Sequence, residues 1–164
     1  IVGAPGRGKT TLLRDYVRIL CGGDGGTCHF SVVVDERSEL SAYDLGHTVH
    51  VLKGLPKARA IQQALRTLSP QFLICDEISS KEEAELLSES LNSGCHFIAT
   101  LHGKDWESLQ EKAQFQIFLR QNALNAVVFL ENQGKICEIR EVNSNAPGWL
   151  SEPFSLRSLT GPHS

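Results

Sequence analysis

The residues best suited to chemistry stand near the start of the chain, in a glycine-rich segment that ends in a lysine and two threonines. Residues 3–11 fit the phosphate-binding pattern G-x-x-x-x-G-K-[ST]. Glycines let backbone N–H groups turn towards a phosphate, and a following helix adds its positive end. The spacing places Lys9 at the β- and γ-phosphates of a nucleoside triphosphate and the Thr10 hydroxyl at Mg²⁺. The predicted nucleotide-binding residues are Gly3, Ala4, Pro5, Gly6, Arg7, Gly8, Lys9, Thr10 and Thr11.

Two acids after an apolar run form the second pattern. Residues 72–75 are Phe-Leu-Ile-Cys, and they lead into Asp76 and Glu77. We expect Asp76 to hold the Mg²⁺ shell and Glu77 to orient and activate the attacking water, as in the Walker B motif of nucleotide hydrolases. Such a run is common by itself. Because it follows the phosphate-binding pattern, or P-loop, in the same chain, it indicates binding of a nucleoside triphosphate with Mg²⁺.

A charged triplet follows another predicted strand. Residues 30–34 form an apolar, largely β-branched run of strand length, and Asp35, Glu36 and Arg37 come directly after it. Ligands of open α/β sheets bind at the carboxyl ends of the strands. Glu36 and Arg37 are therefore candidates for the nucleotide site, and the alternative is a solvated cluster of loop charges.

One histidine is a candidate for sensing the nucleotide. The predicted strand over residues 95–101 brings Thr100 and His102 to the same edge of the sheet. A polar residue after a strand that follows Walker B can respond to the γ-phosphate. From the spacing alone, His102 fits a loop histidine equally well.

Strand-like and helix-like segments alternate along the chain, which predicts an α/β fold with a mostly parallel sheet. The last two strand-like segments flank a Gly-containing turn at residues 132–135, so an antiparallel hairpin is expected at one edge. Only two residues precede Gly3, and we expect that the first strand is incomplete and that a preceding domain is missing. The predicted organisation is a P-loop ATPase core over residues 1–142 and a flexible C-terminal tail over residues 143–164. Helical patterns span residues 9–21, 56–68, 79–92 and 104–121.

Composition restricts the partners. The formal net charge of the 164 residues is -3, and no Lys/Arg stripe with interleaved aromatics is present, so nucleic-acid binding is not expected. The five cysteines include no C-x-x-C pair, and zinc is not expected. No apolar run is long enough to span a bilayer, which favours a cytoplasmic location.

Six segments together resemble the stage III sporulation protein AA family, which is similar in turn to the type II and type IV secretion ATPases. They are residues 3–11, 34–39, 54–58, 68–70, 74–78 and 99–103. The resemblance implies a RecA-like P-loop NTPase core, with Asp35 and Glu36 in an acidic box and His102 in a histidine box. Catalytic roles are then implied for Glu77 as base, for Glu36 as its support or rival, and for His102 as γ-phosphate sensor.

The same resemblance implies a homo-oligomer, a hexameric ring in the full-length protein. The ring would power membrane-embedded sporulation or secretion channel proteins from the cytoplasmic side, at the mother-cell face of a membrane complex. Arg37, Arg59 or Arg66 could then act on a neighbouring subunit's nucleotide, although each also fits an ordinary surface arginine. Two alternatives stay open: a RecA-like ATPase acting on nucleic acid, and a nucleotide-gated assembly scaffold with little turnover.

Overall fold

The computed structural model describes residues 1–22 and 28–143 of the chain. The C-terminal tail expected over residues 143–164 lies outside these residues except for Asn143, and so do residues 23–27. The strands are β1 (Val2–Gly3), β2 (Ser31–Asp35), β3 (Val49–Lys53), β4 (Phe72–Glu77), β5 (His96–His102), β6 (Ala126–Leu130) and β7 (Ile136–Glu141). The helices are α1 (Lys9–Gly22), α2 (Lys57–Gln63), α3 (Lys81–Ser90), α4 (Trp106–Gln110) and α5 (Ala113–Arg120).

The strands form one seven-stranded sheet in the order β3-β2-β4-β5-β1-β6-β7. Every neighbouring pair is parallel except β6 and β7, which are antiparallel at one edge. The predicted α/β class, the mostly parallel sheet and the edge hairpin are thus confirmed. Because six strands run in one direction, the segments that follow β1, β2, β4 and β5 all leave the sheet at the same end, where the carboxyl ends of these strands lie.

Successive side chains along a strand point to opposite faces of the sheet, and each face carries a hydrophobic core. Val33 of β2 packs with Leu13 and Val17 of α1. Its neighbours Val32 and Val34 pack on the other face, where α2, α3 and α5 lie. All five β2 residues are buried, which is the pattern of a strand covered on both faces.

The segment expected as one helix over residues 104–121 is two helices. Asp105 caps α4 by accepting a hydrogen bond from the Ser108 backbone N–H at 2.8 Å. Lys112 has extended backbone angles (φ -81°, ψ 127°) and separates α4 from α5. The break turns α5 back, so that Phe115 packs edge-on against Trp106 with ring centroids 5.3 Å apart. Tertiary packing of two aromatic rings therefore overrides a continuous helical pattern.

Two further details are not evident from the sequence. Residues 49–53 form an edge strand, β3, whose five residues pair in register with β2. Helix α2 continues into a π-helical turn over Ala64–Leu68, which ends at Ser69 in the left-handed conformation. Among the residues that the structure describes, none of the helices combines the length and apolar character of a membrane span.

Candidate nucleotide-binding site

The P-loop joins β1 to α1 and holds its lysine inside the loop. Gly6 (φ 72°) and Gly8 (φ 87°) adopt left-handed backbone angles, which favour glycine. Lys9 begins α1 and is 9% exposed. Its ammonium donates hydrogen bonds to the carbonyl oxygens of Gly3 (2.9 Å) and Ala4 (3.1 Å). A lysine has three donors, so one remains for a phosphate oxygen.

A cleft of about 430 Å³ opens between the P-loop, the end of β4 and the segment after β2. This volume lies within the range of small-molecule and cofactor sites, roughly 300 to 1,000 Å³. The cleft brings six of the nine predicted nucleotide-binding residues together with both acids of the Walker B pattern, whereas Gly3, Ala4 and Arg7 do not line it. Its lining residues are Pro5, Gly6, Gly8, Lys9, Thr10, Thr11, Arg37, Glu39, Asp76 and Glu77.

Asp76 and Thr10 both line this cleft, and the side chain of each carries oxygen atoms. The Asp76 carboxylate accepts a long hydrogen bond, 3.5 Å, from the hydroxyl of Thr100, a buried residue of β5. The pairing of β4 with β5 shifts between Cys75 and Glu77, and such irregularities re-aim side chains beside functional sites. Carboxylate and hydroxyl oxygens are ligands suited to Mg²⁺, so these two residues fit that ion.

A second cleft, of about 130 Å³, lies beside the first and shares Arg37, Asp76 and Glu77 with it. Glu36 lines this smaller cleft, together with Lys57 and Ser79. The Lys57 ammonium donates a hydrogen bond to the backbone carbonyl of Glu77. The site patterns in the sequence did not point to Lys57, although it belongs to the family-like segment at residues 54–58.

Asp35 shapes the acidic segment from inside the protein. It is 1% exposed, and its carboxylate accepts hydrogen bonds from the backbone N–H groups of Glu39 (2.9 Å) and Ser41 (2.8 Å). Burial alone would raise the pKa of Asp35, but the hydrogen bonds donated by residues 39–41 outweigh burial and lower that pKa. Asp35 therefore fixes the turn that carries Arg37 and Glu39 to the cleft, a role that sequence spacing did not reveal.

His102 lies beside the P-loop and lines neither of the two clefts. Its ring atom Nδ1 is 3.3 Å from the carbonyl oxygen of Gly3, and its side chain is exposed. The next residue, Gly103, is buried against α4 and β1. A Cβ atom there would stand 2.6 Å from Leu109 Cδ2 and 3.0 Å from Val2 Cγ1. A γ-phosphate role for His102 stays a prediction.

Solved structures share this architecture. The VirB11 ATPase from the Brucella suis type IV secretion system, in complex with sulphate, matches 85% of this chain and 46% of its own with a TM-score of 0.63 and 17% identity. The Legionella pneumophila ATPase DotB matches 78% of this chain and 38% of its own with a TM-score of 0.61 and 18% identity. At such identities the likeness shows a shared fold.

Sequence relatives are more specific. Stage III sporulation protein AA of Bacillus subtilis (strain 168) is 30% identical over 156 residues, which cover 88% of this chain and 51% of that protein. Protein SEEDLING PLASTID DEVELOPMENT 1 of Arabidopsis thaliana is 27% identical over 135 residues, which cover 73% of this chain and 18% of that protein. The chain thus spans about half or less of these relatives. The profile of the family described as sporulation stage III, protein AA matches residues 1–148, and the chain belongs to that family.

Proposed function

We propose that this chain binds ATP with Mg²⁺, hydrolyses it, and so powers a membrane-associated secretion or channel apparatus. One observation carries the proposal: a nearly buried P-loop lysine, Lys9, lines a single cleft with Asp76 and Glu77. An anion-binding loop and a pair of acidic residues are the two parts that a phosphoryl-transfer site requires.

Each side chain has a distinct part in the proposed reaction. Lys9 and the loop N–H groups bind the β- and γ-phosphates, while the oxygens of Thr10 and Asp76 hold the metal. Bound Mg²⁺ supplies charge that offsets the charge developing on the phosphate oxygens. Glu77 accepts a proton from the attacking water and orients it. Glu36, which lines the neighbouring cleft, supports Glu77 or competes with it as base.

The proposed coupling to a membrane apparatus is supported by the family of the chain and by its fold. The chain belongs to a sporulation family, and it shares its fold with ATPases of which one is named as part of a type IV secretion system. We extend this to assembly: the full-length protein forms a homo-oligomeric ring on the cytoplasmic face of a membrane complex, with channel proteins as partners. Mother cell and forespore are the compartments that such a complex would join.

Replacing Lys9 by alanine tests nucleotide binding. The change removes the main cation facing the β- and γ-phosphates, so tight binding of a triphosphate should be lost. A fluorescence titration with a labelled, non-hydrolysable ATP analogue and Mg²⁺ measures this. Lys53→Ala, which removes an exposed lysine outside both clefts, should bind as the parent protein does. Equal affinity of the parent and the Lys9 variant would contradict the P-loop assignment.

Phosphate release from Glu77→Gln and Glu36→Gln identifies the base. Glutamine keeps the size and hydrogen bonding of glutamate but cannot accept the proton. We expect Glu77→Gln to bind ATP and to hydrolyse it at least about a hundredfold more slowly. A comparable loss in Glu36→Gln alone would make Glu36 the base. No Lys9-dependent phosphate release from the parent protein would favour the scaffold alternative.

A further inference from the structure

The smaller cleft has a lining different from that of the phosphate site. No residue of the P-loop borders it, and its walls are Glu36, Arg37, Lys57, Asp76, Glu77 and Ser79. Its volume of about 130 Å³ is less than a third of that of the larger cleft, about 430 Å³. It has room for several water molecules, since one water needs roughly 10–15 Å³ of such volume. The cleft therefore suits solvent adjoining the phosphate site.

Glu77 connects the two clefts, because it lines both of them. Because no P-loop residue lines the smaller cleft, a water held there would lie beside Glu77 and outside the phosphate-binding loop. Asp76 also borders both clefts, so the metal-binding end of the larger cleft adjoins the same water-sized space. This arrangement provides a place from which a water could approach the terminal phosphate.

Lys57 ties the first turn of α2 to the end of β4. Its half-buried side chain reaches the cleft, and its ammonium donates to the Glu77 carbonyl oxygen. Lys57 thus fixes the backbone that carries Glu77 and places a positive charge among three carboxylates.

We propose that the smaller cleft holds the attacking water and that Lys57 is a positioning residue that orients Glu77 towards it. The proposal rests on the proposed ATP hydrolysis and deepens it. Lys57 acts through Glu77 and does not bind the nucleotide. Loss of Lys57 should therefore slow turnover without weakening nucleotide affinity.

The test compares Lys57→Met with the parent, with Lys57→Arg and with Lys53→Met. We expect Lys57→Met to lower kcat on the order of tenfold to a hundredfold, since small misplacements of reacting groups cost up to about that much. The KM for ATP and the Kd of the non-hydrolysable analogue should stay within twofold of the parent values. Lys57→Arg, which retains a donor and the charge, should recover most of kcat, and Lys53→Met should match the parent.

A double-mutant cycle with Glu77→Gln separates positioning from a general structural effect. If Lys57 works through Glu77, single-turnover hydrolysis by Glu77→Gln should change less than twofold when Lys57→Met is added. An equal loss in both backgrounds would overturn the proposal, as would weakened analogue binding in Lys57→Met. Thermal unfolding of each variant shows whether the substitution impairs folding. If Lys57→Met does impair folding, the kcat of the conservative variant Lys57→Arg is the deciding measurement. A drop in its kcat as large as that of Lys57→Met would overturn the proposal. Failure of the proposed function itself would appear separately, as absent Lys9-dependent hydrolysis in the parent.

Discussion

Lys9 and Asp35 are both buried and charged, but their charges have different roles. Charges are buried in proteins only where hydrogen bonds or opposite charges compensate them. Lys9 bonds to two loop carbonyls and still lines the large cleft, so its charge is available to a ligand. The Asp35 carboxylate bonds to backbone N–H groups of the adjacent turn and lines neither cleft. Its charge maintains the shape of the turn.

Asp35→Asn should destabilise the fold by about 1–3 kcal/mol at pH 7, the usual cost of weakening buried hydrogen bonds to a charged group. The pKa of Asp35 is lowered in the folded state. Its contribution is therefore complete above the unfolded pKa, near 4, and is lost as pH falls through the folded pKa. Urea unfolding of parent and variant at pH 7, 4.5 and 3 should show the difference narrowing only at the lowest pH.

Asp15→Asn is the matched control, since Asp15 is an exposed acid on α1 and should change stability by less than about 0.5 kcal/mol. A difference between parent and Asp35→Asn that is the same at all three pH values would show that the charge of Asp35 contributes nothing.

The site residues that can be predicted from the sequence are those that belong to short patterns of neighbouring residues. The P-loop and the Asp76-Glu77 pair are contiguous patterns, and the structure places members of both around one cleft. Lys57 is different, because its partner lies 20 residues away and the bond depends on how α2 packs beside β4. Asp35 was assigned to the acidic box by resemblance, but its burial follows from the sheet and not from its neighbours in sequence.

The end of β5 packs so closely against α4 and β1 that Gly103 has no room for a side chain. Gly103→Ala should destabilise the protein by about 1–3 kcal/mol, the usual cost of overpacking, because the new methyl group would overlap Leu109 and Val2. It should also displace His102 from the Gly3 carbonyl. Urea unfolding of the single variant, of Leu109→Ala and of the double variant measures the effect.

Leu109→Ala removes the atom closest to the new methyl group, so the cost of Gly103→Ala should be smaller in that background. An equal cost with and without Leu109 would show that the clash is relieved elsewhere. The comparison thereby tests the packing of α4 against the end of β5.

Element prediction succeeded where local signals and burial agreed. The start of α3 is one example: Ser80 and Glu83 form a capping box, and the helix begins at Lys81, two residues into the segment 79–92 expected to be helical. The break between α4 and α5 was missed, since the contact of Trp106 with Phe115 is tertiary. The π-helical turn at Ala64–Leu68 was also missed, because no residue pattern in that segment announces it.

The three arginines considered for action on a neighbouring subunit differ in their positions in the molecule. Arg37 lines the larger cleft of its own chain, which favours action within the subunit. Arg59 is exposed on α2, and Arg66 is exposed on the π-helical turn. The wider turn rotates Arg66 away from the position that a regular helix would give it.

Mixing experiments test whether Arg59 or Arg66 acts in trans. Each Arg→Ala variant, with its P-loop intact, is combined with a Lys9→Ala protein whose arginines are intact. We expect hydrolysis by the mixture to exceed the sum of the separate proteins, since an arginine donated to the γ-phosphate of a neighbour can raise turnover by about 10³ to 10⁵. Arg37→Ala should show no such recovery. Absence of recovery for Arg59 and Arg66, despite demonstrated co-assembly, would remove the idea.

The position of β1 has a consequence for how the protein is made. The Gly3 carbonyl meets His102, 99 residues away, and Val2 pairs with Phe129 still further along. Contacts of such large sequence separation form late, because loop-closure entropy is lost before they contribute. A growing chain thus carries the whole phosphate-loop sequence long before the strands on either side of it exist. The proposed nucleotide affinity would therefore appear only once the strands beside β1 have formed, so a nascent chain would not bind the nucleotide prematurely.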